Sequence, residues 1–144
     1  MSRVLINTPD HAAIFKTDID VTVNFINYGG HMSNDAFLTV CQEARLRYMQ
    51  QLGGTELAFY GGALIQADAA IVYKSQAFHG DTLSVALFVD DIAKYGFDFI
   101  FLISHRDDGR EIARAKTGML FFDYEKQKVC TVTEQFRAAH STHS

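Results

Sequence analysis

Tryptophan is absent from these 144 residues, proline occurs once and cysteine twice. A single proline leaves little rigid loop and favours long elements joined by tight glycine turns. Cys41 and Cys130 are too few for a disulfide framework or a metal cluster. Six histidines with no close pair add no zinc signature, so no metal is expected. Positive charge is also short: 13 Lys+Arg against 17 Asp+Glu leave a net charge of −4, which argues against nucleic acid as a partner. Apolar runs such as Phe99 to Ile103 fall far below the roughly 20 residues needed to span a bilayer, so no membrane partner is expected. Met1 to Asp10 has no basic region leading into an apolar stretch, which makes the cytoplasm the expected compartment.

What is present fits a globular chain: 48% hydrophobic and 21% charged residues, with 12 Phe and 6 Tyr. One domain over residues 1–144 is expected, with its core between about 15 and 125. The weakly patterned first 14 residues and the polar stretch His140 to Ser144 are expected to be loose ends. No repeat or linker divides the chain.

From Phe15 to Phe25 apolar and polar residues alternate, with Ile19, Val21, Val23 and Phe25 on one side, which predicts a half-buried strand. Asn34 is placed to cap a helix that runs to about Leu52, where Gly53 and Gly54 supply the left-handed stop. Phe37, Val40, Cys41, Ala44, Tyr48 and Leu52 share one face of it. Four strands should follow: Ala63 to Ser75, Asp81 to Asp90, Gly96 to His105 and Arg110 to Tyr124. In the first of these, Ile65, Ala67, Ala69, Ile71 and Tyr73 fall on one face, small enough at the alanines for close helix approach. Turns at His79-Gly80-Asp81 and Asp107-Asp108-Gly109 favour antiparallel neighbours. The predicted class is α+β: a curved antiparallel sheet wrapped around one long central helix.

The densest group of special residues is the turn Asn27-Tyr28-Gly29-Gly30-His31 and the following Asn34. A glycine turn opening a helix presents free N–H groups and a positive dipole end, able to bind an anion or a developing oxyanion. The same residues also suit a plain tight turn capped by Asn34. On the helix, Glu43 sits at the edge of the apolar stripe; partial desolvation there makes a carboxylate a stronger base. It is equally spaced for an exposed i,i+4 pair with Arg47. Asp68, inside an apolar strand, faces either a cleft or subunit interface or the outer surface. His79 and His105, at a turn and a strand end, read as solvated surface.

The run Asn27-Tyr28-Gly29-Gly30-His31-Met32-Ser33-Asn34-Asp35-Ala36-Phe37-Leu38, followed by Gln42-Glu43-Ala44-Arg45, resembles the hot-dog-fold thioesterase superfamily, in its hydroxybenzoyl-CoA and acyl-CoA thioesterase branch. The resemblance spans about Phe15 to Tyr124. It implies the hot-dog fold and hydrolysis of an acyl-CoA or acyl-carrier-protein thioester, with coenzyme A present only as part of the substrate and no separate cofactor. It also implies a homodimer or homotetramer with sites between subunits. Many members carry two loop acids, whose places fall here at Phe25 and Asn27; neither side chain is a base. The resemblance therefore implies catalytic roles for Glu43 as base, His31 on the carbonyl, the thiolate or the loop, and Asn27 as an orienting amide. Tyr28, Gly29, Gly30 and Asn34 would contact the substrate. An apolar channel between the Phe-rich strands and the helix would take the acyl group; Lys74, Lys94 and Arg110 could meet the nucleotide phosphates, although scattered basic residues are normally solvated surface. Two alternatives stand beside hydrolysis. One is a hydroxyacyl-thioester hydratase or dehydratase, against which Tyr28 and the spacing to His31 argue. The other is a module that binds acyl-CoA without turnover.

Overall fold

The computed structural model describes residues 2–141. Strand β1 (Phe15–Asp20) leads through a 3₁₀ turn at Val23–Phe25 to helix α1 (Ala36–Gln51). Strands β2 (Leu64–Tyr73), β3 (Thr82–Asp90), β4 (Gly96–His105) and β5 (Glu111–Asp123) follow, then the short β6 (Lys128–Val129) and helix α2 (Glu134–Ala139). The sheet order is β1-β3-β4-β5-β2 with β6 against β5, and every pair is antiparallel. Short turns between β3, β4 and β5 dictate that arrangement, since parallel pairing needs crossovers of a dozen residues or more.

Register explains the core. Leu83, Val85, Leu87 and Val89 of β3 pair with His105, Ile103, Phe101 and Phe99 of β4, and the latter face Thr117 and Ala115 of β5 on the same inner side. Against that face α1 buries Ala36, Phe37, Val40, Cys41, Ala44, Tyr48 and Met49. The Phe-rich strands form packed core rather than a channel: Phe97, Phe99, Phe101 and Phe121 are all buried, and Phe97 stacks on Phe136 at 4.4 Å.

Several expectations change. The first strand stops at Asp20 instead of Phe25, because Val21 turns its N–H to the Asp81 carbonyl and the chain enters the 3₁₀ turn, leaving Val23 exposed. In β2 the alternation breaks at a bulge between Gln66 and Asp68, so Leu64 and Gln66 face inward before it and Ala69, Ile71 and Tyr73 after it. Ala67 and Ala69 do not seat a helix; β2 is exposed from Ile65 to Ala69. Asp68 lies on the outer face, where its carboxylate accepts from Lys116 Nζ (2.8 and 3.0 Å) and from the Gly118 N–H (3.0 Å).

Packing also extends past the expected core limits of 15 and 125. Ile6 is buried on the outer face with Ala86, Phe88 and Ile100, and its carbonyl accepts from Arg114. Residues 2–14 thus cover the sheet. At the other end Val132 and Phe136 join the main core, and α2 is capped by Thr133 Oγ1 accepting from Phe136 N. His140, assigned to the polar tail, is buried against Phe136 and Tyr60; residues 142–144 of that stretch lie outside the described residues. Likewise His105 is only 14% exposed and sits between Asp81 and Asp108, rather than on open surface.

Candidate active site

The turn between the 3₁₀ segment and α1 is built by its own residues. Asn27 Oδ1 accepts from Gly29 N at 2.9 Å, Asn27 O from Gly30 N at 3.1 Å, and Asn27 N donates to His31 O at 3.1 Å. Gly30 sits at φ +82°, a left-handed conformation that glycine takes without a steric cost. The far side is anchored by Met32 N on Ala77 O (2.8 Å) and by Ser33, whose N–H and hydroxyl both donate to Phe25 O.

Three of the expected site residues come together here. His31 Nδ1 lies 3.1 Å from Met32 O, a contact only a protonated Nδ1 can make, so the neutral ring presents Nε2 as an acceptor. A side chain added at Gly29 would meet Asn27 Oδ1 at 3.3 Å and His31 Nε2 at 3.4 Å, which places both polar groups over the same glycine. Tyr28 projects fully into solvent beside them.

Other expectations are revised. Helix capping falls to Asp35, not Asn34, and without a side-chain cap bond; Ala36 N turns to Ser33 O instead. Asn34 contributes its carbonyl, which accepts from Tyr73 Oη at 2.9 Å. The amides of Gly29 and Gly30 are occupied within the turn, so an incoming oxyanion must use other donors. Helix geometry leaves the Phe37 N–H, in the first turn of α1, without an intrahelical acceptor, and the Asn27 side-chain NH₂ is a second donor. Glu43 is 51% exposed and its Oε2 accepts from Arg47 Nε at 2.9 Å. Arg47 in turn reaches Thr17 Oγ1 and Asp18 O on β1, so Glu43 faces the β1 side of the molecule and is not the desolvated carboxylate expected.

Tyr73, not foreseen as a site residue, stands at the end of β2. It packs on Phe37 at 5.4 Å and ties β2 to the loop through Asn34. Burial chiefly, and then the charge of Asp35, push its hydroxyl above the usual phenol range, so it remains a neutral donor. Cys41 is no nucleophile: burial pushes its thiol up to about 12. Among the described residues no group of three or more His, Cys, Asp or Glu is placed to hold a metal ion. A groove of about 1010 Å³ lies away from the loop, beyond the C-terminal end of α1, walled by Leu57, Gly61, Ala63, Phe122, Tyr124 and Cys130. No helix among the described residues is long and apolar enough to cross a membrane.

Fold and loop together define a hot-dog protein with a polar turn at the helix N-terminus. The sequence profile of the thioesterase-like superfamily matches residues 21–140, and the chain belongs to that family. Among solved structures it is similar to a 1,4-dihydroxy-2-naphthoyl-CoA thioesterase from Synechocystis, at 22% identity over 87% of this chain and 93% of that one, with a TM-score of 0.77. A Staphylococcus aureus protein solved in complex with CoA gives 16% identity, 95% and 87% coverage and a TM-score of 0.79. The 12:0-ACP thioesterase of Umbellularia californica gives 16% identity over 90% of this chain and 50% of its own, with a TM-score of 0.75. No curated protein matches significantly by sequence.

Proposed function

We propose that the protein hydrolyses an acyl thioester, of coenzyme A or acyl carrier protein, at the Asn27–Asn34 loop. The observation that carries this reading is the convergence of Asn27 and His31 over Gly29 at the start of α1, in a chain of the thioesterase-like superfamily. Asn27 NH₂ and the Phe37 N–H are the donors for the thioester oxygen as it takes negative charge. His31, with Nε2 unprotonated in the neutral ring, accepts a hydrogen bond from the attacking water or fixes the turn. Coenzyme A enters only as part of the substrate, and the reaction calls for no separate cofactor.

The reading includes a homo-oligomer with sites between subunits. Its support is β2, a ten-residue strand at the sheet edge, exposed along much of its length. In one chain the groove and the loop sit at opposite ends of β2; pairing of two β2 edges carries the groove of one copy toward the loop of the other.

A thiol-release assay over a panel of acyl-CoA and acyl-carrier-protein thioesters tests the reaction, with Glu43→Ala beside the wild type. Loss of at least about 100-fold in kcat assigns Glu43 the base; an undiminished rate removes it. Binding without turnover is a second reading, favoured by the absence of an acid at Phe25 and Asn27. Tight acyl-CoA binding with no thiol released from any member of the panel would establish it against hydrolysis.

A further inference from the structure

The loop lacks a carboxylate of its own, and Glu43 is drawn toward β1. A carboxylate of another kind sits at the start of β2. Arg45 is buried, with 5% of its surface exposed, yet carries a full charge inside the fold. It donates to Glu56 Oε1 through Nε (3.2 Å) and Nη2 (3.0 Å), and to Gln66 Oε1 through Nη1 (2.9 Å). Both bonds to Glu56 fall on Oε1, so Oε2 is the oxygen available to a water. Glu56 is itself tied to the strand end, its carbonyl accepting from Leu64 N at 2.8 Å.

Within one chain this carboxylate is out of reach of the loop, because Gln66 and Tyr73 are separated by about 23 Å of strand. The edge of β2 alters that distance. Two copies related by a twofold axis normal to the sheet bring identical edges together antiparallel, and their open N–H and C=O groups pair. The one charged side chain along β2 is Asp68, already neutralised by Lys116, so such pairing confronts no like charges. Pairing about the strand midpoint sets Leu64 of one copy opposite Tyr73 of the other, roughly 4.8 Å away. Leu64 holds Glu56 and Tyr73 holds the Asn34 carbonyl, so the carboxylate of one copy and the loop of the other arrive on facing strand ends.

We propose that the catalytic carboxylate of this site is Glu56 of the partner subunit, acting across a β2–β2 dimer on a thioester held by the Asn27–Asn34 loop; this rests on the hydrolase reading above. Oε2 takes a proton from water as the water oxygen bonds to the thioester carbonyl carbon, and the carbonyl electron pair moves onto its oxygen. When that pair returns, the C–S bond breaks, the sulfur leaves with its electrons and receives the proton from Glu56. The products are a carboxylic acid and a thiol, with water the sole co-reactant. Arg45 touches Glu56 and not the substrate; it is a positioning residue.

Glu56→Gln keeps the shape and an acceptor for Arg45, so the protein stays folded and dimeric by circular dichroism and size exclusion while kcat falls at least about 100-fold. The decisive arm mixes Glu56→Gln subunits with subunits carrying Asn27→Ala and His31→Ala. After dissociation and random reassociation half the dimers are mixed and each mixed dimer holds one intact site, so activity recovers to about a quarter of wild type. A fully active Glu56→Gln protein, or no recovery on mixing, overturns the proposal. If the wild type releases no thiol from any thioester, the hydrolase reading fails by itself. The geometry is then read by cross-linking Glu56→Cys to Asn34→Cys with a short bis-maleimide in a Cys130→Ser background. A covalent dimer supports the cross-subunit placement, and monomer alone overturns it.

Discussion

Removing the Arg45 guanidinium should be the most damaging single charge change in this protein. Arg45→Met keeps the length and apolar stem of the side chain but leaves Glu56 and Gln66 without the three bonds described above. Breaking a fully buried ion pair by deleting one partner costs about 3–5 kcal/mol, since the other charge is stranded. Glu56 is 31% exposed against 6% for Arg45, so water recovers part of its solvation and the low end of that range, about 3 kcal/mol, is expected. For a chain of this length that corresponds to a fall in Tm of roughly 10 °C. Urea unfolding should show the loss at unchanged slope, and Glu56→Gln should cost only about 1 kcal/mol because the amide oxygen still accepts. Replacing all three members with apolar residues of similar volume should recover most of the loss. A cost below about 1 kcal/mol for Arg45→Met would refute the reasoning, because it would mean the network is already hydrated.

Two further outcomes follow from the outer-face pin of β2. A Cβ at Gly118 would lie 2.3 Å from Asp68 Oδ1, so Gly118→Ala must expel the carboxylate and lose its bonds. Chemical unfolding should register about 1–2 kcal/mol, and the same change in an Asp68→Ala background should cost far less; equal costs in both backgrounds would separate Gly118 from the pin. The Lys116 hydrogen bond, aided by the Lys116 charge and the Gly118 amide, holds the Asp68 carboxyl below the usual carboxylate range. Its folded value is thus below the unfolded one of about 3.9, and the stability it adds is complete above that pH and lost as pH falls through the lower folded value. Asp68 is 61% exposed, so the contribution is at most about 1 kcal/mol, read as the wild-type minus Asp68→Asn difference vanishing on acidification. Asp98 runs the other way: desolvation raises its carboxyl, so its destabilising effect is relieved as pH drops.

Much of this architecture was legible in the chain because periodicity reports burial directly. The Phe97-Phe99-Phe101-Ile103 alternation and the Leu83 to Val89 alternation both hold in the sheet, and the glycines at 53 and 54 do follow the end of α1. Composition was a poorer guide to the ends. Ile6 follows Val4 and Leu5, which stay exposed, and Phe136 stands between Gln135 and Arg137; nothing local distinguishes these two from surface positions until a sheet face is there to receive them.

By itself, then, the sequence determined the order and type of the long elements and marked the Asn27–Asn34 turn, because those depend on contacts between near neighbours. Tertiary structure decided the rest. The bulge at Gln66 and Asp68 reverses which β2 side chains face inward, and at it the Asp68 carboxylate meets a strand fifty residues away. Asn27 and His31 converge because the turn folds back on itself. Glu43 was spaced for an exposed ion pair with Arg47, and only the reach of Arg47 to Thr17 and Asp18 placed that pair on the β1 side of the molecule. Glu56 gave no local signal at all; its position is set by a buried guanidinium reaching from α1 across to β2.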